Sequence, residues 1–321
     1  MPKLIQHDRF DWIGAADQFV DGSPQPVALP VDPADDAPPP PKIARCRRGD
    51  IWTLGRHRLM CGDSANASDV LLLVQDQKLS LMATDPPYGV RFGEANHNPR
   101  AKQWDAIEGD AREGQLLRRW FASVLLVWLP MIRRDSAFYV WSASLKEGHR
   151  LYEAVEDAGL HVQGQVVWIK NVFALGQADY QWCHEPCWYA FFKGENHRWY
   201  GGRDKRTTWE VKKLANSSYL HPAQKPVELY ARPIEWNTEK GDAIAEPFAG
   251  SGTQFIAAES LGRTCIGMEI DPVYCDVTLR RWAIYTGGDP VREHDSKKWS
   301  QLSSEEPTEA GSRVIDPFDL G

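Results

Sequence analysis

No run of roughly 18 apolar residues occurs anywhere in this chain, so nothing in it reads as a membrane-spanning helix. Its opening residues include Asp8, Asp11 and Asp17, which do not suit a signal peptide, and the expected location is cytoplasmic. Disulfide spacing is also missing. The six cysteines, Cys46, Cys61, Cys183, Cys187, Cys265 and Cys275, follow no regular pattern, as expected of a chain kept in a reducing compartment. Cys183, His184 and Cys187 lack the second knuckle of a zinc site, so no metal is expected. Cys187 follows Pro186 but runs into aromatic residues, which reads as core packing rather than a thiol nucleophile. There is no overall excess of positive charge and no internal repeat. The net charge is −7, but it is unevenly spread. Residues 1–41 carry −5 and residues 284–321 carry −4, which leaves the stretch 42–283 at +2.

What is present is concentrated in two short strings. TDPPYG, Thr84 to Gly89, ends the apolar run LSLMAT. Two prolines forbid helix and remove two donors, so the run reads as a buried strand stopping at a stiff turn, where function belongs in an α/β protein. The turn offers the carboxylate of Asp85, the free carbonyls of Pro86 and Pro87, and the aromatic plate of Tyr88. An exocyclic amine on a flat ring, as in adenine or cytosine, has donors and a face that match.

EPFAGSGT, Glu246 to Thr253, reads as a strand (Asp242 to Pro247), a glycine turn and the start of the helix QFIAAESLG. Gly250 and Gly252 let backbone approach a ligand, and Thr253 opens a helix with free N–H groups. After the next strand, RTCIGM, Glu269 stands where a nucleoside-binding βαβ unit places its ribose acid. The third glycine of a dinucleotide fingerprint is replaced by Phe255, and no phosphate-gripping lysine follows Gly252. That argues against NAD, FAD and ATP and favours S-adenosylmethionine, a ribonucleoside without phosphates.

With these residues the chain resembles the beta class of DNA amino-methyltransferases, in which the DPPY half precedes a recognition segment and the FxGxG half comes last. It is particularly similar to bacterial and phage site-specific adenine methylases. The likeness runs from about Arg48 to about Trp282 and includes GDIWTLGRHRLMCGDS, YQWCHEPCWYAFFKG, HPAQKPVELYARPI and GMEIDPVYCDVTLRRW. The resemblance implies that Asp85 and Pro86 accept the target amino group and that Tyr88 stacks on a flipped base. It implies cofactor contacts from Phe248, Gly250, Gly252, Thr253 and Glu269. Asp63 would lie near the cofactor's adenine, and His221, Gln224 and Lys225 would close over its methionine end. The resemblance also implies a cofactor contact near the amino group from Glu246, which replaces the family's aspartate and is one methylene longer.

The expected fold is α/β, a doubly wound and mostly parallel sheet. The resemblance implies seven strands, one antiparallel, in the permuted order of an S-adenosylmethionine-dependent methyltransferase, with a small target-recognition insertion. Helices are expected over residues 115–132, 145–158 and 226–238. Domain boundaries follow: a disordered tail over 1–45, a methyltransferase domain over 46–283 and a disordered acidic tail over 284–321. Within the domain, 46–194 is the catalytic half, 195–220 the recognition insertion and 221–283 the cofactor half. Lys193, Arg198, Arg203, Lys205, Arg206, Lys212 and Lys213 make one segment basic, and phosphate contact is expected there. Duplex DNA is the expected partner, a second copy of the chain remains open, and no membrane is expected. Asp85 at the first position of the tetrapeptide favours adenine N6 over cytosine N4. A non-catalytic DNA-binding module would have lost part of the tetrapeptide, and all four residues stand.

Overall fold

A computed structural model of the protein describes residues 33–88, 112–174, 179–212 and 224–302. His221, Lys213, Trp104 and the stretch 91–110 lie outside the described residues, as do 1–32 and 303–321. In chain order the strands are β1 (Ile51–Leu54), β2 (His57–Cys61), β3 (Leu79–Thr84), β4 (Ile132–Trp141), β5 (Leu160–Ala174), β6 (Trp182–Phe192), β7 (Thr208–Glu210), β8 (Ala243–Glu246), β9 (Thr264–Glu269) and β10 (Val291–Arg292). The α-helices are α1 (Ala67–Val74), α2 (Gly114–Trp128), α3 (Lys146–Asp157), α4 (Glu228–Asn237), α5 (Thr253–Leu261), α6 (Pro272–Thr286) and α7 (Trp299–Leu302).

All ten strands join one sheet in the order β10-β1-β2-β9-β8-β3-β4-β6-β5-β7. The expected seven form its middle, from β2 to β5. β6 runs antiparallel to both β4 and β5, and the remaining pairs of that set are parallel. Three short strands extend the edges beyond seven: β1 and β10 on one side, and β7, parallel to β5, on the other. Side chains alternate across the sheet, so one strand feeds two cores. Ala137, Tyr139 and Trp141 of β4 join the apolar cluster under α4, α5 and α6, while Phe138 and Val140 join the cluster under α1, α2 and α3.

The chain reverses direction across the sheet between β3 and β8. β3 leads through α2 to β4 on one side, whereas β8 leads through α5 to β9 on the other. The two strands are neighbours, so a crevice opens at their carboxyl ends, the position where open α/β sheets bind ligands.

Two expectations about the tails are corrected. Residues 33–45 are packed: the Ala34 carbonyl accepts from the Arg281 guanidinium at 2.8 Å, Asp35 accepts the Val227 N–H at 2.7 Å, and the N–H groups of Arg45 and Cys46 reach Asp276 at 2.7 and 3.0 Å. The strap opens with a 3-10 turn over Pro33–Asp35, and the buried charges of Arg281 and Asp276 give its backbone partners. Residues 284–302 are ordered too, because Trp299 packs edge-on against Trp52 with ring centroids 5.7 Å apart.

Candidate active site

Four strand ends meet at the crevice and are tied to one another. Gly62, after β2, donates its N–H to the Glu269 carbonyl at 3.0 Å, and Ala249 donates to the Met268 carbonyl at 2.9 Å. The Ser64 hydroxyl donates to the Pro247 carbonyl. Between β3 and β8, the Thr84 hydroxyl donates to Glu246 Oε1 at 2.6 Å. These bonds bring Asp63, Asp85, Glu246 and Glu269 to one edge, although they are far apart in sequence.

The turn after β8 shows why glycine is required. Gly250 and Gly252 have φ of +52° and +77°, the left-handed region that a side chain disfavours. A Cβ at Gly252 would also lie 2.7 Å from Thr278 Cγ2. Gly252 caps α5, so the first N–H groups of that helix face the crevice. Beneath the turn, Arg281 donates to the Ser251 carbonyl at 3.1 Å and to Thr253 Oγ1 at 2.9 Å. Phe248 stacks at a tilt on Trp120, 5.5 Å between centroids.

Glu269 ends β9 with Oε2 accepting the Gly250 N–H at 2.7 Å and Oε1 accepting the Asp271 N–H at 2.9 Å. Burial pushes its carboxyl up to about 7, against the pull of those backbone donors. Glu246 is wholly buried. Its extra methylene lets Oε1 curl back to the Phe248 N–H at 2.8 Å, while Oε2 has no partner. Burial raises its pKa well above the ordinary carboxylate range. Asp63 is partly exposed and its Oδ1 accepts the Ala65 N–H at 2.9 Å.

At the end of β3, Tyr88 donates its hydroxyl to Asp85 Oδ1, and the Lys225 ammonium pairs with Asp85 Oδ2. Lys225 also donates to the Tyr88 hydroxyl oxygen at 3.0 Å and lies 3.4 Å from Glu185 Oε2. Lys170 pairs with the other oxygen of Glu185. Lys225 Nζ lies 5.5 Å from the ring centroids of both Tyr88 and Trp141. Burial raises the pKa of Asp85, with Lys225 and Tyr88 acting in the opposite direction. Burial also works against the charge on Lys225, but Asp85 and Glu185 more than offset it and its pKa is raised. For Glu185, Lys225 and Lys170 outweigh burial and its pKa is lowered.

Lys225 therefore stands with the tetrapeptide, whereas the sequence grouped it with the cofactor's methionine end. Gln224 is buried and donates to the Asp35 carbonyl at 2.6 Å, which joins it to the N-terminal strap. Glu185, Lys170 and Arg281 were not anticipated. An acid between the aromatic residues of YQWCHEPCWYAFFKG was the available signal for Glu185; nothing local marked the other two. Cys187 is buried in the core and Cys183 is exposed.

The basic segment is not one surface. β6 is antiparallel, so Lys193 after it emerges at the amino end of the parallel strands, where its N–H meets the Gly159 carbonyl at 3.4 Å. The Arg198 guanidinium is held by Asp242 at 3.0 Å and Asp135 at 3.6 Å, at that same end. Arg203, Lys205 and Arg206 climb the outer flank, with Lys205 paired to Asp204 at 3.1 Å. Lys212, exposed after β7, reaches the crevice end. The β5–β6 hairpin overhangs that end. β4 stops opposite Cys187, and β6 continues from Trp182 to Pro186, roughly 15 Å of strand, with Tyr180 89% and Trp182 43% exposed.

A family model described as DNA methylase matches residues 79–280. The chain is similar to the type II methyltransferase M2.LlaDCHI of Lactococcus lactis subsp. cremoris, 25% identical over 238 residues that cover 68% of this chain and 87% of the relative. Among solved structures it shares its fold with a complex of M1.HpyAVI with SAM (TM-score 0.53, 20% identity, covering 70% of this chain and 98% of that one). The cytosine-N4-specific PvuII DNA methyltransferase is likewise similar in fold (TM-score 0.56, 20% identity, 71% and 86% covered).

Proposed function

The chain belongs to the DNA methylase family of N6 and N4 amino-methyltransferases, and on that premise we propose that it methylates the N6 amine of adenine in duplex DNA from S-adenosylmethionine. The observation that carries this reading is the meeting of Asp85 and the Gly250–Gly252 turn at the ends of neighbouring strands. The crevice fits the cofactor: a left-handed glycine turn at a helix start, the buried acid Glu269 beside it, and the unpartnered oxygen of Glu246. Glu269 would hold the ribose hydroxyls, Asp63 and Phe248 the adenine end, and Gln224 would brace the closing segment. When bound, the cofactor supplies an electrophilic methyl group on a sulfonium.

The protein's own residues do the rest. An aromatic amine is a poor nucleophile because its lone pair is conjugated with the ring. Asp85 and the Pro86 carbonyl accept its N–H bonds, which favours the pyramidal geometry ready for attack, and the fixed turn supplies orientation. The base must leave the duplex, at a cost of about a few kcal/mol, and Tyr88 receives its face. No covalent enzyme intermediate is required. DNA approaches the crevice end, with Arg206 and Lys212 on phosphates and the β5–β6 overhang alongside. The carboxylate at the first position of the tetrapeptide supports adenine.

Asp85→Ala tests this directly. Methyl transfer to duplex DNA should fall by ~10²-fold or more, since the variant loses the carboxylate acceptor at the reacting centre. Affinity for S-adenosylhomocysteine, measured by calorimetry, should survive. Full activity in this variant would contradict the reading.

A further inference from the structure

We propose that Lys225 and Glu185 are positioning residues of the acceptor site: Lys225 fixes the Asp85 carboxylate for the target amine, and Glu185, anchored by Lys170, fixes Lys225. This rests on the reading of Asp85 as acceptor and extends it to two residues outside the tetrapeptide.

An ammonium has three N–H donors. Lys225 has three acceptors within reach, Asp85 Oδ2, the Tyr88 hydroxyl at 3.0 Å and Glu185 Oε2 at 3.4 Å. It is only 3% exposed, and its donors are all engaged on the acceptor side of the crevice. A buried lysine used in this way is not placed to grip a cofactor carboxylate. Lys170, Glu185, Lys225 and Asp85 form a line of alternating charge, so the buried cation is balanced and each carboxylate has a partner.

The chemistry needs that balance. A protonated Asp85 would carry a donor where the amine needs an acceptor, and burial favours the protonated form. Around Asp85 stand Tyr88 on its own turn, Lys225 ahead of α4, Tyr230 on α4, Glu185 and Cys187 on β6, and Glu246 at the end of β8. Lys225 is the one cation among them, and its charge favours the ionised carboxylate against that burial. Glu185 opposes that effect on Asp85 while holding the ammonium in place.

The test is a set of variants, Lys225→Met, Glu185→Gln and Lys225→Arg, each measured for kcat, KM for duplex DNA, pH profile and affinity for S-adenosylhomocysteine. Lys225→Met should lower kcat by ~10²-fold, the effect of a displaced reacting group, with S-adenosylhomocysteine bound within about threefold of wild type. Its remaining activity should require higher pH, because Asp85 loses its stabilising cation. Glu185→Gln should move the acidic limb the other way and lower kcat less. Lys225→Arg should restore the acidic limb without restoring full kcat, since a planar fork does not reproduce a point charge. Weakened cofactor affinity with unchanged kcat at saturation in Lys225→Met would overturn the proposal and return Lys225 to the cofactor. If Lys225→Met fails to fold, the part-exposed Glu185→Gln decides alone, and an unmoved acidic limb overturns it. Asp85→Ala separates the two readings: an inactive Asp85→Ala beside fully active Lys225→Met removes only this inference.

Discussion

At the residue scale, the sequence exposed what is local and concealed what is paired across the chain. Asp85 stands before two prolines, and Glu269 ends a strand at a set distance from a glycine turn, so backbone rules alone mark both. Lys225 lies within a recognisable HPAQKP segment, but its partners Asp85 and Glu185 meet it only after the sheet closes. No spacing rule encodes that meeting. The state of Glu269 gives a prediction with a definite sign. Its folded pKa of about 7 lies above the ordinary 4.5, so the carboxylate is neutral below this range and ionised above it. Affinity for S-adenosylhomocysteine should therefore rise with pH through about 7, as the ionised form becomes the stronger acceptor for ribose hydroxyls. The stability of the unliganded fold shifts the opposite way, declining between pH 4.5 and about 7, where the unfolded chain releases this proton while the folded one still holds it. Calorimetry from pH 6 to 8 on wild type and Glu269→Gln checks this. The variant should lose both the pH dependence and roughly 1.5–3 kcal/mol of binding at high pH.

At the scale of elements, charge composition located a basic segment without saying which end of the sheet it serves. The direction of β6 decides that. An antiparallel strand releases its following loop at the amino end, so the chain must climb the outer flank to return to the crevice. Lys193 and Arg198 lie at the far end, Arg198 held by Asp242 and Asp135, whereas Arg206 and Lys212 flank β7 towards the crevice end. Neutralising Arg206 and Lys212 together should flatten the salt dependence of DNA binding, by ~0.9 on the log–log slope for each phosphate that is no longer neutralised. Lys193→Ser should leave the slope alone. Tyr180→Ala with Trp182→Ala should weaken binding by ~1–3 kcal/mol for each base that stacks on the overhang. Fluorescence anisotropy across a salt series measures all three, and a slope set by Lys193 would place the duplex at the wrong end of the sheet.

Across the whole molecule, alternating strands and helices made the doubly wound core legible, together with the one antiparallel strand implied by the resemblance. The edge strands β1, β7 and β10 were not legible, because pieces of two to four residues carry too little periodicity to register. The strap was misread for a related reason: a proline-rich acidic stretch looks unfolded until buried Arg281 and Asp276 supply partners for its backbone. A chain begun at Arg47 should melt roughly 5–10 °C below one begun at Pro33, since buried charged groups lose hydrogen bonds worth about 1–3 kcal/mol each. Among the described residues no helix is long and apolar enough to cross a membrane. The central claim concerns the base. Duplex DNA incubated with the protein and methyl-labelled S-adenosylmethionine, then digested to deoxynucleosides and resolved by mass spectrometry, should carry its label on N6-methyldeoxyadenosine and lose it with Asp85→Ala. Label on N4-methyldeoxycytidine, or none with wild-type protein, would contradict the account.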